Sequence, residues 1–244
     1  MAVNQSQWIC CQHGAREHYA VPRALHGRGE LACLFADAWV RPGHPLGWLQ
    51  PSLRDRFHPQ LRDAPVLSAT LRLVAFEVLA RLRGLRGWEA TMARTRWFQR
   101  HAVSSLESYS QQSVVSGQWS SGPLTVFAYS YAALGILRWA KERGFRTVLG
   151  QIDPGPEMSR ITAQLERQYP EFHSATALPP EVYWTQWQEE CRLADVVVVN
   201  SEWSRTALQR VGVEEAKLRV VPLAYERSRI YSGIIFSFLS YPGR

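Results

Sequence analysis

The sequence predicts a doubly wound α/β domain, a mostly parallel sheet with helices on both faces. Three observations carry this. Short apolar runs alternate with helical patterns along most of the 244 residues. The connections between runs are too long for hairpins, so the strands are joined by crossovers. Val196 to Val199 is four β-branched residues without polar alternation, the pattern of a strand covered on both faces.

The elements follow in order. Gln7 to Gln12 is strand-like, and His13-Gly14 ends it before Ala15 to Leu25, a helical stretch broken only by Pro22. Gly27-Arg28-Gly29 turns the chain into a second apolar run, Leu31 to Val40, which stops at Arg41-Pro42-Gly43. His44 to Pro65 has no clean period and reads as an irregular excursion. Leu71, Val74, Val78, Leu79, Leu82 and Leu85 recur at helical spacing with arginines largely between them, so Ser68 to Leu85 is expected to be an amphipathic helix burying that stripe. Another helix is expected over Trp88 to Ser104.

In the second half the boundaries are sharper. Leu124 to Tyr129 is a strand, and Ala132 to Arg143 is a helix closed by Gly144. Phe145 to Ile152 is the next strand, Asp153-Pro154-Gly155 a turn, and Pro156 suits a first helical position, with Met158, Ile161 and Leu165 as the buried stripe. Pro179-Pro180 opens a helix whose Tyr183, Trp184, Trp187 and Cys191 share one face, a pattern that fits core better than a ligand platform. After Val196 to Val199, Ser201 is a natural N-cap and Glu202 places negative charge in the first turn. Trp203, Ala207, Leu208 and Val211 are expected to face inward, Gly212 ends the helix, and Leu218 to Val221 is a strand stopped by Pro222.

Composition narrows the function. At 46% hydrophobic and 20% charged the chain is ordinary globular material. Cys10, Cys11, Cys33 and Cys191 have no CxxC spacing and read as buried small hydrophobes in a reducing compartment. The N-terminus lacks a basic segment followed by a long apolar one, and Ile230 to Leu239 is half the ~20 residues a bilayer-spanning helix needs, so a cytoplasmic location is expected. Net charge is +7, and seven arginines face only Glu77 and Glu89 between Arg72 and Arg100. That surplus suits an anionic lipid surface or acidic substrate, or is a solvated helix face. No nucleic-acid partner is expected.

Ligands of open parallel sheets sit past the carboxyl ends of the strands. That rule nominates His13 to His18, Tyr129 to Tyr131, Asp153 to Glu157 and Asn200 to Glu202, and within them Gly14, Arg16, Glu17, His18, Tyr129, Ser130, Asp153, Glu157, Asn200, Ser201 and Glu202. Asp153 is the one candidate for proton transfer, although Asp-Pro is also a common turn starter. Ser201 is explained by capping. There is no GxGxxG, no GxxxxGK[ST] and no GxSxG, and the seven histidines have no ligand spacing, so no dinucleotide, P-loop, serine-hydrolase or metal chemistry is expected.

One resemblance rests on Leu193 to Glu226, LADVVVVNSEWSRTALQRVGVEEAKLRVVPLAYE. Its order of Ala-Asp, valine-rich strand, Asn-Ser-Glu, helix closed by Val-Gly-Val, Lys and Val-Pro-Leu resembles the end of the N-terminal domain of group 1, or family 4, glycosyltransferases of the GT-B fold. The Gly14 loop, Phe127 to Tyr131 and Gln151 to Gly155 lie where that domain has its cleft loops, and the likeness runs from Trp8 to Glu226, looser over 42–121. It implies a Rossmann-like domain at 1–226 that binds the sugar acceptor, facing a second domain that binds a nucleotide-sugar. It further implies no cofactor or metal, and transfer that mostly retains the anomeric configuration. By the same likeness the Gly14 backbone approaches the donor phosphates, Arg16, Glu17, Tyr129 and Asp153 line the acceptor side, and anionic or membrane-bound acceptors would use the Arg72 to Arg100 surplus.

Residues 227–244 have no β-α repeat and no donor-binding constellation, and read as an unrelated tail such as a truncation or frameshift leaves. The expectation is therefore an acceptor-binding domain inactive alone, served by a separate donor-domain subunit. The alternatives are a non-catalytic binder of glycan or of an anionic inner-membrane face, or a non-functional fragment.

Overall fold

The computed structural model describes residues 6–49, 53–115, 124–172 and 178–223; the expected boundary at 226 and the tail 227–244 lie outside them. Strands β1 (Gln7–Gln12), β2 (Leu31–Ala36), β3 (Val66–Ser68), β4 (Leu124–Tyr129), β5 (Arg146–Gly150), β6 (Val196–Val199) and β7 (Leu218–Val220) form one sheet. Its order is β3-β2-β1-β4-β5-β6-β7 and every pair is parallel. The expected doubly wound, Rossmann-like fold is present.

Helices connect the strands: α1 (Ala20–Gly27), α2 (Pro45–Leu49), α3 (Thr70–Leu82), α4 (Gly87–Val115), α5 (Leu134–Glu142), α6 (Pro156–Gln168), α7 (Glu181–Leu193) and α8 (Glu202–Arg210). The period-two alternation of side chains sorts each strand between two cores. Ile9, Cys11, Phe35, Val126, Leu149 and Val197 pack with α4, α5, α7 and α8 through Phe98, Ile136, Trp187 and Leu208. Cys10, Leu34, Phe127 and Val148 face the other way, where α1 contributes Val21 and Leu25. Each fully buried aliphatic side chain contributes about 1.5–3 kcal/mol, so the two cores together dominate the stability. All four cysteines are free and buried.

Several expectations on the helices are corrected. Ala15 to Leu25 is not one helix: Arg16–Tyr19 forms a 3-10 turn, and Pro22 falls in the first turn of α1, where a missing N–H removes no bond. The Leu31 to Val40 run ends as strand at Ala36, because Asp37 turns inward to bind loop amides. The excursion from His44 contains α2 and a 3-10 turn at Pro59–Leu61. Helix α4 runs eleven residues past Ser104.

Helix α3 buries Leu73, and of the expected stripe Val74 packs half-buried against the core, while Leu71, Val78, Leu79 and Leu82 are 72%, 48%, 50% and 79% exposed. It rests on α4 by its other side, through Phe76 against Trp97 and a two-pronged Glu77–Arg94 pair. Met158 and Leu165 of α6 are likewise exposed and Ile161 only half-buried, because α6 lies at the carboxyl edge instead of on a sheet face. Trp203 points outward at 52% exposure, while Ala207 and Leu208 are buried as expected. On α7, Trp187 and Cys191 are core but Tyr183 and Trp184 are half-buried and line a cavity.

Candidate functional site

Between β1 and β4 the strand order reverses direction, so the chain leaves β1 toward α1 on one face and β4 toward α5 on the other. A crevice opens between such diverging connections. The Tyr129 hydroxyl, at the end of β4, donates to Glu17 Oε2 at 2.9 Å across it, and the Arg16 guanidinium lies 5.8 Å from the Tyr129 ring centre.

Glu17 reaches that position through an unusual backbone. Glu17, His18 and Tyr19 have φ of 49°, 48° and 60°, three successive non-glycine residues in the left-handed region. The left-handed conformation costs about 1–2 kcal/mol per residue, and such strain collects at binding sites. Burial of Tyr19 and the Tyr129–Glu17 bond hold it in place.

A second constellation lies under the same loop. Asp37, 1% exposed, accepts from Gly14 N at 3.1 Å, Ala38 N at 2.9 Å and Arg56 Nη1 at 2.9 Å. Gly14 has φ +81°, and a Cβ there would stand 3.1 Å from Arg56 Nη1, so this glycine fits the arginine closely and its amide is engaged by Asp37. His13 Nε2 is 3.6 Å from Asp37 Oδ2. Burial above all, with Arg16, Arg56 and Arg94 adding to it, lowers the His13 pKa to about 4 against the pull of Asp37, so His13 is neutral at pH 7.

The loops after β4 and β5 interlock. Tyr131, also left-handed at φ 71°, donates its hydroxyl to Asp153 Oδ1 at 2.5 Å. The same oxygen accepts from Gln151 Nε2 at 3.1 Å and Gly155 N at 2.8 Å. Gln151 Oε1 in turn accepts from Trp187 Nε1 at 2.9 Å. Burial pushes the Tyr129 and Tyr131 hydroxyls well above their usual pKa, and the adjacent Glu17 and Asp153 carboxylates push them further. Beneath them Glu190, 1% exposed, accepts from the amides of Tyr131, Ala133 and Leu134 at 2.7, 2.8 and 3.0 Å and caps the amino end of α5. Burial raises its pKa to about 7, with the three amides pulling the other way.

The nominated residues therefore divide. Glu17, Tyr129 and Asn200 line one cavity of about 230 Å³, floored by Phe127, Gly150 and Val198. Asp153 lines a neighbouring cavity of about 320 Å³. His18 is exposed, with its carbonyl accepting from Arg23. Ser130 is buried, and its hydroxyl has no partner among the described residues. Ser201 Oγ accepts from Ser204 N at 3.2 Å as an N-cap, Glu202 pairs with Arg205, and Glu157 pairs with Arg160. Among the described residues no three His, Cys, Asp or Glu side chains form a metal-binding group, and no helix is long and apolar enough to cross a membrane.

Sequence reasoning missed Asp37, Arg56 and Glu190, and reached Gln151 only as the first residue of a cleft loop, without its hydrogen-bonding role. An aspartate inside LACLFADAWV was a usable signal, because an unpaired carboxylate in an apolar run needs a reason. Glu190 sits beside Glu189 in an acidic helix with nothing to distinguish the two.

No protein family description matches the chain, and no curated protein matches it. Solved structures do. A UDP-glucosyltransferase from Polygonum tinctorium capable of glucosylating indoxyl matches 94% of this chain and 55% of its own, at 13% identity and a TM-score of 0.50. UGT2 of Phytolacca americana, solved with UDP-2-fluoro-glucose and pterostilbene, matches 91% of this chain and 54% of its own at 14% identity and 0.48. HepE of Anabaena, solved with UDP, matches 91% and 45% at 13% identity and 0.42. The chain spans about half the length of these structures, and the likeness is one of fold.

Proposed function

We propose that this domain, residues 1–226, is the acceptor-binding half of a nucleotide-sugar glycosyltransferase of the GT-B architecture, placed in family 4 by its Asn-Ser-Glu and Val-Pro-Leu segment. The carrying observation is that Glu17, Tyr129 and Asn200, from three segments far apart in sequence, line one cavity at the carboxyl edge of the sheet. The acceptor hydroxyl oxygen bonds to the anomeric carbon of the donor hexose as the bond to the nucleoside diphosphate breaks, and the hydroxyl proton passes to the departing diphosphate. Stabilising the departing diphosphate is a large electrostatic share of such catalysis, and that work falls to a donor-binding domain on the same or a separate polypeptide. No cofactor or metal takes part.

The test combines the purified chain with candidate donor-domain subunits, a nucleotide-sugar and an acceptor panel, and follows diphosphate release. Release that requires both components and survives EDTA is expected. Release by neither the chain nor any combination refutes the proposal.

A second feature concerns where the acceptor is met. The exposed apolar stripe of α3 is flanked by Arg72, Arg81 and Arg83, the arrangement of a helix lying in an anionic lipid interface. We propose that α3 holds the domain peripherally on such a membrane, at its cytoplasmic face. Vesicle co-sedimentation that ignores both lipid charge and salt would overturn this.

A further inference from the structure

The cavity that Asp153 lines is bounded by Trp88 at the start of α4, Tyr131 after β4, Glu166 on α6, and Tyr183 and Trp184 on α7. We infer that it is a subsite for one neutral pyranose ring of the acceptor, stacked on the aromatic group and hydrogen-bonded through a hydroxyl to Asp153. This rests on the acceptor-binding function proposed above.

Four features of the cavity converge on that ligand. Its volume, about 320 Å³, lies near the lower end of the ~300–1,000 Å³ of small-ligand sites, enough for a monosaccharide unit and small for a whole nucleotide-sugar. Its described lining holds two carboxylates, Asp153 and Glu166, and no lysine, arginine or histidine, which disfavours a phosphate.

Asp153 is oriented for recognition. Tyr131 Oη, Gln151 Nε2 and Gly155 N all converge on Oδ1, while Oδ2 accepts from no described residue. One oxygen anchors the carboxylate and the other is left for a ligand donor. The geometry is held in turn by Trp187, whose indole fixes Gln151. A pre-oriented acceptor of this kind suits a sugar hydroxyl.

The aromatic arrangement separates a sugar from an organic cation. Tyr131 and Tyr183 are stacked on one another at 4.8 Å and 12°, so each gives one ring face to the other. Trp88 and Trp184 meet Tyr183 edge to face at 4.8 and 5.1 Å. A cation cage needs several ring faces converging on one point. A pyranose needs one apolar platform beside a hydroxyl acceptor.

The experiment titrates the full chain with methyl glycosides of glucose, galactose, mannose and N-acetylglucosamine, and separately with choline and inorganic phosphate, read by saturation-transfer NMR and calorimetry. At least one glycoside should bind, with affinity lowered at least tenfold in Asp153→Asn and in Trp184→Leu, and unchanged in Arg28→Gln, an exposed position before β2 at the opposite, amino edge of the sheet. Should Trp184→Leu fail to fold, Asp153→Asn, matched to the wild type in its unfolding transition, decides alone. No glycoside binding, binding indifferent to Asp153→Asn, or displacement of the glycoside by choline or phosphate overturns the inference. Glycoside binding without transfer in any combination of subunits would sink the proposed enzyme and leave this subsite standing. Transfer unaffected by Asp153→Asn would do the reverse.

Discussion

Replacing Glu190 with glutamine should change how stability depends on pH. Glu190 is buried at the amino end of α5 and receives three backbone amides, two on Oε1 and one on Oε2. Burial raises its pKa from 4.5 to about 7. A carboxyl raised on folding binds its proton more tightly in the native state than in the unfolded chain. Its contribution to stability is therefore fully present below about pH 4.5 and is lost as pH rises to about 7. At about 1.4 kcal/mol for each tenfold change in proton affinity, the swing is about 3 kcal/mol. Glutamine cannot titrate, so the difference in unfolding free energy between wild type and Glu190→Gln isolates the group. That difference should fall by up to about 3 kcal/mol from pH 4.5 to pH 7.5, measured by urea unfolding followed by circular dichroism. Glu190→Gln should itself be the less stable protein at pH 5, by about 1–3 kcal/mol, because either amide orientation turns an NH2 toward a backbone donor. A difference that is flat with pH, or that grows as pH rises, would refute the reasoning.

Other perturbations test the remaining devices. Asp37→Ala strips Arg56, Gly14 N and Ala38 N of their common acceptor and should cost about 3 kcal/mol, the lower end for breaking a buried ion pair, since the Arg56 side chain retains 22% exposure; denaturant titration reads it. Gly150→Ala would bring a Cβ to 2.7 Å from Phe127 Cζ and 3.1 Å from Tyr129 Cδ1, and should lower stability by about 1–3 kcal/mol while disturbing the cavity floor, visible as shifted aromatic resonances. Leu71→Glu with Leu82→Glu should leave the unfolding free energy within about 0.5 kcal/mol for each change, since both side chains are exposed, yet abolish sedimentation with anionic vesicles.

How much of the site was legible depended on whether a residue acts locally or across the fold. Glu17, Tyr129 and Asn200 were reachable because any residue just past a strand of a parallel sheet lies at its carboxyl edge. The left-handed run Glu17-His18-Tyr19 was not, because of the three only histidine is a type enriched at positive φ, and tertiary packing imposes that conformation on the glutamate and tyrosine beside it. Gln151 looked like a strand end, and its role arises only when Trp187, 36 residues later, delivers an indole N–H to it. Arg56 lay in a stretch without periodicity, where the sequence offers no geometry at all.

The chain's own pattern determined the alternation of strand and helix, the parallel character of the sheet and the capped unit from Val196 to Val220, where Ser201 does what its type and place require. Those are local consequences of period, propensity and turn chemistry. Which apolar stripe each helix buries was decided elsewhere. Helix α3 carries two, and the one that won, Leu73 and Phe76, is the one that Trp97 and Arg94 of α4 could meet, which left Leu71, Val78 and Leu82 facing out. Helix α7 likewise divides its aromatic face, with Trp187 in the core and Tyr183 and Trp184, one turn earlier, lining the cavity. Burial is a property of the partner surface as well as of the helix, and a single helix's sequence contains only one side of that pairing.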